Sequence, residues 1–355
     1  MNIQPKCIAT AIGSLPHLSA GQAVDVIMTS LPDAPIWPQL PRVAMREQME
    51  MQYSEGLPRV VIDEEKKRMC FDTSGDYSED LAAFYEAFMT AEETGDYSAM
   101  TISSAFSAGI PALEARLKAL GRKLPFVKCQ VTGPLSFALT IVDENKRAIY
   151  YNEEFVDAVV KGMAMKARWQ IAKFKPYAGN IICFIDEPIL SAFGSSTYVS
   201  VQRNDVVAKL NEVIEAVHAE GGIAGIHCCG NTEWSILVDA GADILNFDAY
   251  DFSESIALYP AHMKRHITER GNAIAWGIVP TSTAIRNESA QALAGRLEAA
   301  MDNLSRKAGI DKDVLLRQAL VTPSCGTGSM EIPDAERVFN LLGETSRLMR
   351  GKYGF

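Results

Sequence analysis

No apolar run in this 355-residue chain approaches the roughly 20 residues needed to cross a bilayer, which excludes a membrane-spanning helix. The opening Met1-Asn2-Ile3-Gln4-Pro5-Lys6-Cys7 lacks the basic-then-apolar order of a secretory signal, so a cytoplasmic location is expected. Positive charge is in deficit: 34 Lys and Arg against 44 Asp and Glu leave a net charge of −10. The bases lie among acids, as in Glu64-Glu65-Lys66-Lys67-Arg68, and neither nucleic acid nor membrane is an expected partner. Seven cysteines, an odd number scattered over a long chain, suit reduced thiols better than a disulfide framework. P-loop, CxxC pair and G-x-S-x-G elbow are all missing. So are internal repeats and Gly/Ser linkers, and residues 1–355 read as one domain.

What the chain does have is alternation of short apolar runs with amphipathic segments. Runs at 7–12, 126–131, 181–185, 223–229, 243–248, 273–279 and 320–325 read as strands, with a proline-rich candidate at 34–41 and a weaker one at Met100–Ser104. Helical patterns fall between them at 19–29, 78–94, 112–120, 154–175, 204–219, near 233, at 255–269, 288–308 and 334–350. Arg59–Asp63 and Arg68–Asp72, joined by a charged tip, predict a small β-hairpin inserted near the N-terminus. About eight strands alternating with helices predict an α/β fold, a single (β/α)8 TIM barrel. In such a barrel the site lies at the C-terminal strand ends, where Ser14, Gln39, Thr132, Asp186, Cys229, Asp248 and Cys325 fall.

The run Gly225-Ile226-His227-Cys228-Cys229 sets His227 and Cys229 on one face of an extended strand and Cys228 on the other. Asp248 and Cys325 end two later strands, and imidazole, thiolate and carboxylate are the ligand types zinc prefers. Asp186-Glu187-Pro188 offers one acid to cap a helix and one to bind an ammonium group. Cys325-Gly326-Thr327-Gly328 begins like a phosphate-binding turn, but Glu331 stands in place of the third glycine and a dinucleotide site is discounted.

The ordered set Ile12-Gly13-Ser14-Leu15-Pro16, Thr132-Gly133-Pro134, Ile185-Asp186-Glu187-Pro188, His227-x-Cys229, Ala242-Asp243-Ile244 to Asp248 and Pro323-Ser324-Cys325-Gly326 resembles the C-terminal catalytic barrel of cobalamin-independent methionine synthase. The H-x-C and later Cys are also similar to zinc-dependent corrinoid-linked thiol methyltransferases of the uroporphyrinogen decarboxylase superfamily. The resemblance implies a Zn2+ ion on His227, Cys229, Cys325 and Asp248, the last in place of a glutamate. It implies a thiol acceptor, homocysteine foremost, with its carboxylate at Ile12, Gly13 and Ser14 and its ammonium at Asp186, and places Gln39 where a second ammonium-binding glutamate would align.

The chain lacks the large N-terminal half of those synthases, and Trp276-Gly277-Ile278-Val279-Pro280 lacks their Asp-x-His. With Trp276, Val279 and Pro280 expected to form an apolar wall, the expected methyl donor is a corrinoid rather than a folate. No D-x-H-x-x-G signature occurs, so the corrinoid would arrive on a separate protein. Two other classes fit the barrel: a metal-free uroporphyrinogen decarboxylase-like enzyme with arginines around an acidic macrocycle, and a non-catalytic zinc-binding barrel.

Overall fold

In a computed structural model, residues 3–355 are described. Met1 and Asn2, part of the N-terminal stretch expected to lack a signal, and of the expected domain, lie outside them. Seven parallel strands, β1 (Ile8–Ala9), β4 (Leu124–Thr132), β5 (Ala178–Asp186), β6 (Ile223–Cys228), β7 (Ile244–Phe247), β8 (Ala273–Val279) and β9 (Ala319–Pro323), form one curved sheet ordered β1-β9-β8-β7-β6-β5-β4. The hairpin β2 (Val60–Asp63) and β3 (Arg68–Phe71) pairs apart from it.

Alternation along the strands sorts two cores. Ile8, Phe126, Ile182, Phe184, Ile244, Ala273, Ala275 and Leu320 pack together inside the curl. Val127, Cys129, Ile185, Cys228, Phe247, Trp276 and Val321 face the helices. Each apolar run is therefore buried on both faces, as parallel strands with crossover helices require.

The sheet has seven strands where eight were expected. Residues 34–40 instead join its two edges by isolated parallel bridges, Ile36 to Lys128 on β4 and Gln39 to Ser14 beyond β1. The Phe126 and Lys128 N–H groups donate to the Asp33 and Pro35 carbonyls, and Gln39 and Gly13 are linked likewise. Prolines 35, 38 and 41 supply no N–H, so a continuous ladder cannot form there.

Two other expectations are corrected. Met100–Ser104 is no strand: a 3-10 turn ends at Met100, the Ser103 carbonyl closes the next turn by accepting from Phe106 and Ser107, and its N–H donates to Glu55. The helix expected over 255–269 is broken into 3-10 Ile256–Leu258, helix Pro260–Lys264 and a π-turn Arg265–Glu269. Pro260 cannot continue the preceding turn's hydrogen bonds, but fits a new first position.

At the N-terminal end of the sheet, His218 Nε2 meets Asp243 Oδ2 at 2.7 Å, and that oxygen also accepts the Ala224 N–H. The carboxylate raises the imidazole's pKa above its ordinary value. Because the folded pKa is the higher one, this stabilisation is complete below the unfolded value near pH 6.5 and is lost as pH rises through the folded pKa. His218→Gln is expected to lower the thermal midpoint most at pH 6, and less at pH 9. The partly exposed pair contributes no more than about 1 kcal/mol. A deficit equal at both pH values would show that charge plays no part.

Candidate metal centre and ligand cavity

The alternation that sets β6's faces carries His227 into the mouth of the curl and Cys228 into the helix-facing core, and Cys229 follows just beyond the strand. Cys325 arrives two residues after β9. The ligand atoms of His227, Cys229 and Cys325 lie within 4.8 Å of one another. Cys229 and Cys325 share protons as a pair. Cys229 is pulled well below an ordinary thiol, first by the Cys325 thiol donating to it and then by His227, while Cys325 is pushed far up. The arrangement favours the thiolate of Cys229, the form that binds metals.

The orientation of His227 is set by Asn246, a residue the sequence reading passed over. Asn246 Nδ2 donates to the Ala275 carbonyl at 2.8 Å and also meets Thr322 Oγ1 at 2.8 Å. A carbonyl can only accept, so Asn246 must turn Oδ1 to His227 Nδ1, 2.6 Å away. In the neutral ring Nδ1 then carries the proton, which leaves the Nε2 lone pair as the one a metal could take.

Asp248 is not brought into the three-residue group. Its Oδ1 accepts the N–H groups of Tyr250 and Asp251, capping the turn after β7. Asp-x-x-Asp at a strand exit is a local turn pattern, and here the backbone donors take one oxygen of the carboxylate.

Beside these three side chains opens a cavity of about 330 Å³, lined also by Ile12, Gly13, Ser14, Gln39 and Asp186. Asp186 Oδ1 is buried without a partner. Burial pushes its carboxyl up, Lys128 and His227 oppose that shift, and Cys229 adds to it. Its neighbour Glu187 caps helix Pro134–Thr140 through the N–H groups of Leu135 and Ser136 and the Ser136 hydroxyl. One of the two acids thus caps a helix as expected, although that helix precedes β5 instead of following it.

Gln39 is fixed by a buried relay. Gln52 Nε2 must face the Phe106 carbonyl and Glu47 carboxylate, so its Oε1 receives Gln39 Nε2 at 2.8 Å. The acceptor end of Gln39 is left for the cavity that this residue lines.

Ser14 is clasped by the turn after Cys325. Its carbonyl accepts from the Thr327 N–H at 2.8 Å and the Thr327 hydroxyl at 2.9 Å, while its Oγ accepts the Gly328 N–H at 3.2 Å. A Cβ on Gly326 would stand 2.1 Å from Ser14 Oγ. The glycines that suggested a phosphate turn instead permit this close approach.

The wall expected from Trp276, Val279 and Pro280 is absent from the cavity lining. Trp276 faces the helices and packs on Phe247 with ring centroids 5.6 Å apart. In β8 the inward positions are Ala273, Ala275 and Gly277, which puts the even-numbered Trp276 outside. A larger hollow, about 570 Å³, opens at the opposite end of the sheet near Arg270 and Arg317, away from the ligand group.

No family model and no curated protein matches the chain. Among solved structures, a methyltransferase from Methanosarcina mazei superposes with a TM-score of 0.58 at 14% identity, covering 98% of this chain and 95% of that one. An exo-β-1,4-mannosidase from Opitutaceae bacterium strain TAV5 gives a TM-score of 0.41 at 12% identity, over 99% of this chain and 63% of the other. The first comparison shows a shared fold, and the second is too distant to bear on it. No helix among the described residues is long and apolar enough to cross a membrane.

Proposed function

We propose that this protein is a zinc-dependent methyltransferase that moves a methyl group from a corrinoid to a thiol, homocysteine foremost, in the manner of methionine synthase. The observation that carries the reading is the convergence of His227, Cys229 and Cys325, with the imidazole tautomer set by Asn246, beside a small cavity containing an unpartnered carboxylate oxygen. The residues fit zinc: one nitrogen and two sulfurs leave a fourth position for an exchangeable ligand, which favours a catalytic over a closed structural site. Zinc there would supply ionisation of an added thiol, worth about 2 kcal/mol against a free thiol of pKa about 8.5.

The chain's own residues do the rest. Asp186 holds the ligand's ammonium group, Gln39 Oε1 accepts a second hydrogen bond from it, and the Ile12-Gly13-Ser14 turn receives the carboxylate. With three points held, the sulfur is presented to the donor in one orientation, and orientation supplies much of the acceleration. We read residues 34–40 as the eighth stave of a closed (β/α)8 barrel, because their bridges join both sheet edges.

A folate must gain a proton at its ring nitrogen as the methyl leaves, and β8 with its exit, Gly277-Ile278-Val279-Pro280, carries no acid for that step. A corrinoid needs no such proton, and here it would come on a separate corrinoid protein. Among the described cavity-lining residues there is no arginine, which disfavours the reading as a decarboxylase of an acidic macrocycle. The purified protein is expected to contain one zinc per chain and to methylate homocysteine from methylcobalamin or a methylated corrinoid protein. Turnover with methyltetrahydrofolate and none with either corrinoid donor would sink the donor assignment, and a metal-free active enzyme would sink the whole reading.

A further inference from the structure

Lys128 lies in the middle of β4 with its side chain wholly buried, yet it does not line the cavity. Its ammonium group donates to the Ile12 carbonyl and to Gln130 Oε1, and stands 4.7 Å from the centroid of the Phe184 ring. No carboxylate forms an ion pair with it among the described residues, although Asp186 is near enough to feel its charge. Burying an ammonium without a paired anion carries a large desolvation cost, and filling space beside Phe184 does not require a charge.

The contact with Ile12 shows where that charge acts. Among the described residues there is no cis peptide, and in a trans peptide the N–H points opposite to the C=O. With the Ile12 carbonyl turned down to Lys128, the Gly13 N–H points away from it, and Gly13 lines the cavity. The cation polarises this peptide toward greater positive charge at its N–H end, in surroundings too dry to screen the effect. Among the described lining residues none is lysine or arginine, so a ligand carboxylate meets no other fixed positive side chain there.

We propose that Lys128 is a positioning residue that makes the Ile12-Gly13-Ser14 turn select thiols bearing a carboxylate, acting through the Ile12–Gly13 peptide without touching the ligand. This rests on the reading of the cavity as an amino-acid thiol site. Phe184 shields the ammonium from below, and Gly225 leaves that ring its place: a Cβ there would stand 2.4 Å from Phe184 Cδ1.

The test is calorimetric titration of zinc-containing protein with homocysteine and with 3-aminopropanethiol, which keeps the thiol and ammonium but lacks the carboxylate. Wild type is expected to bind homocysteine at least about tenfold more tightly. Lys128→Met is expected to abolish most of that preference by weakening homocysteine alone, with zinc content and 3-aminopropanethiol affinity retained. Equal losses for both thiols, or no loss for either, would overturn the proposal and leave Lys128 a structural residue. Should Lys128→Met fail to fold, Lys128→Gln carries the same comparison, and equal wild-type affinities for the two thiols would by themselves overturn the proposal. If neither thiol binds wild type, the amino-acid thiol reading falls and this proposal with it, an outcome distinct from the two before.

Discussion

Serine at position 229 or 325 is expected to strip zinc from the protein, whereas serine at position 228 leaves it bound. Three neighbouring sulfurs are chemically alike, but only two of them face His227. Cys228 is fully buried between sheet and helices, and burial holds its thiol up at about 12, far from the thiolate a metal requires. Replacing a ligand sulfur by a hydroxyl leaves one nitrogen and one sulfur, and metal affinity should fall by more than about 100-fold, beyond what loss of a supporting hydrogen bond costs. Metal analysis of the folded fraction after dialysis against a mild chelator separates the variants. Retention in Cys229→Ser together with loss in Cys228→Ser would mean that the strand faces are assigned the wrong way round.

Asp186→Asn should weaken homocysteine binding by about 2 to 3 kcal/mol, roughly 30- to 150-fold, while sparing 4-mercaptobutyrate, which has no ammonium group. The wild-type carboxylate is buried and one of its oxygens has no partner, so a ligand cation is the natural complement. Asparagine keeps the shape but replaces one acceptor oxygen by a donor, leaving an ammonium group facing N–H where it had met charge. Equal loss for both thiols, measured by titration of the zinc-containing protein, would assign Asp186 a role in the fold instead of the ligand.

The alternation rule made His227, Cys229 and the outward Cys228 legible from the sequence because an apolar strand buried on both faces has few other ways to sit. Asp186 and Glu187 were separable in kind but not in detail: the helix that Glu187 caps lies some 50 positions earlier, and local sequence carries no trace of that contact. Asn246 and Lys128 escaped notice for a related reason. Each is a single polar side chain inside an apolar strand, and its importance comes from partners on other strands. Lys128 and Gln130, two polar residues spaced by two in Phe126-Val127-Lys128-Cys129-Gln130-Val131, were the available signal that this face holds something other than a plain core. Trp276 misled because an apolar run suggests a wall without saying which side it stands on, and Asp248 shows that a strand-end acid can serve a turn as well as a metal.

The clasp of Ser14 by Thr327 and Gly328 joins positions more than 300 residues apart, and among the described residues β1 has its ladder partner in β9 alone. During synthesis, β1 must therefore wait without its ladder partner while β4 to β8 are made, and the Ser14 turn, which can meet Gln39 early, gains the clasp of Thr327 and Gly328 only after the last strand has left the ribosome. Closing so long a loop is slow, and a partly made sheet exposes strand edges in the meantime. If His227, Cys229 and Cys325 hold zinc as proposed, metal capture by all three would belong to the end of folding: zinc supplied early would meet at most His227 and Cys229, and a nascent chain stalled before residue 325 would have no complete centre to fill.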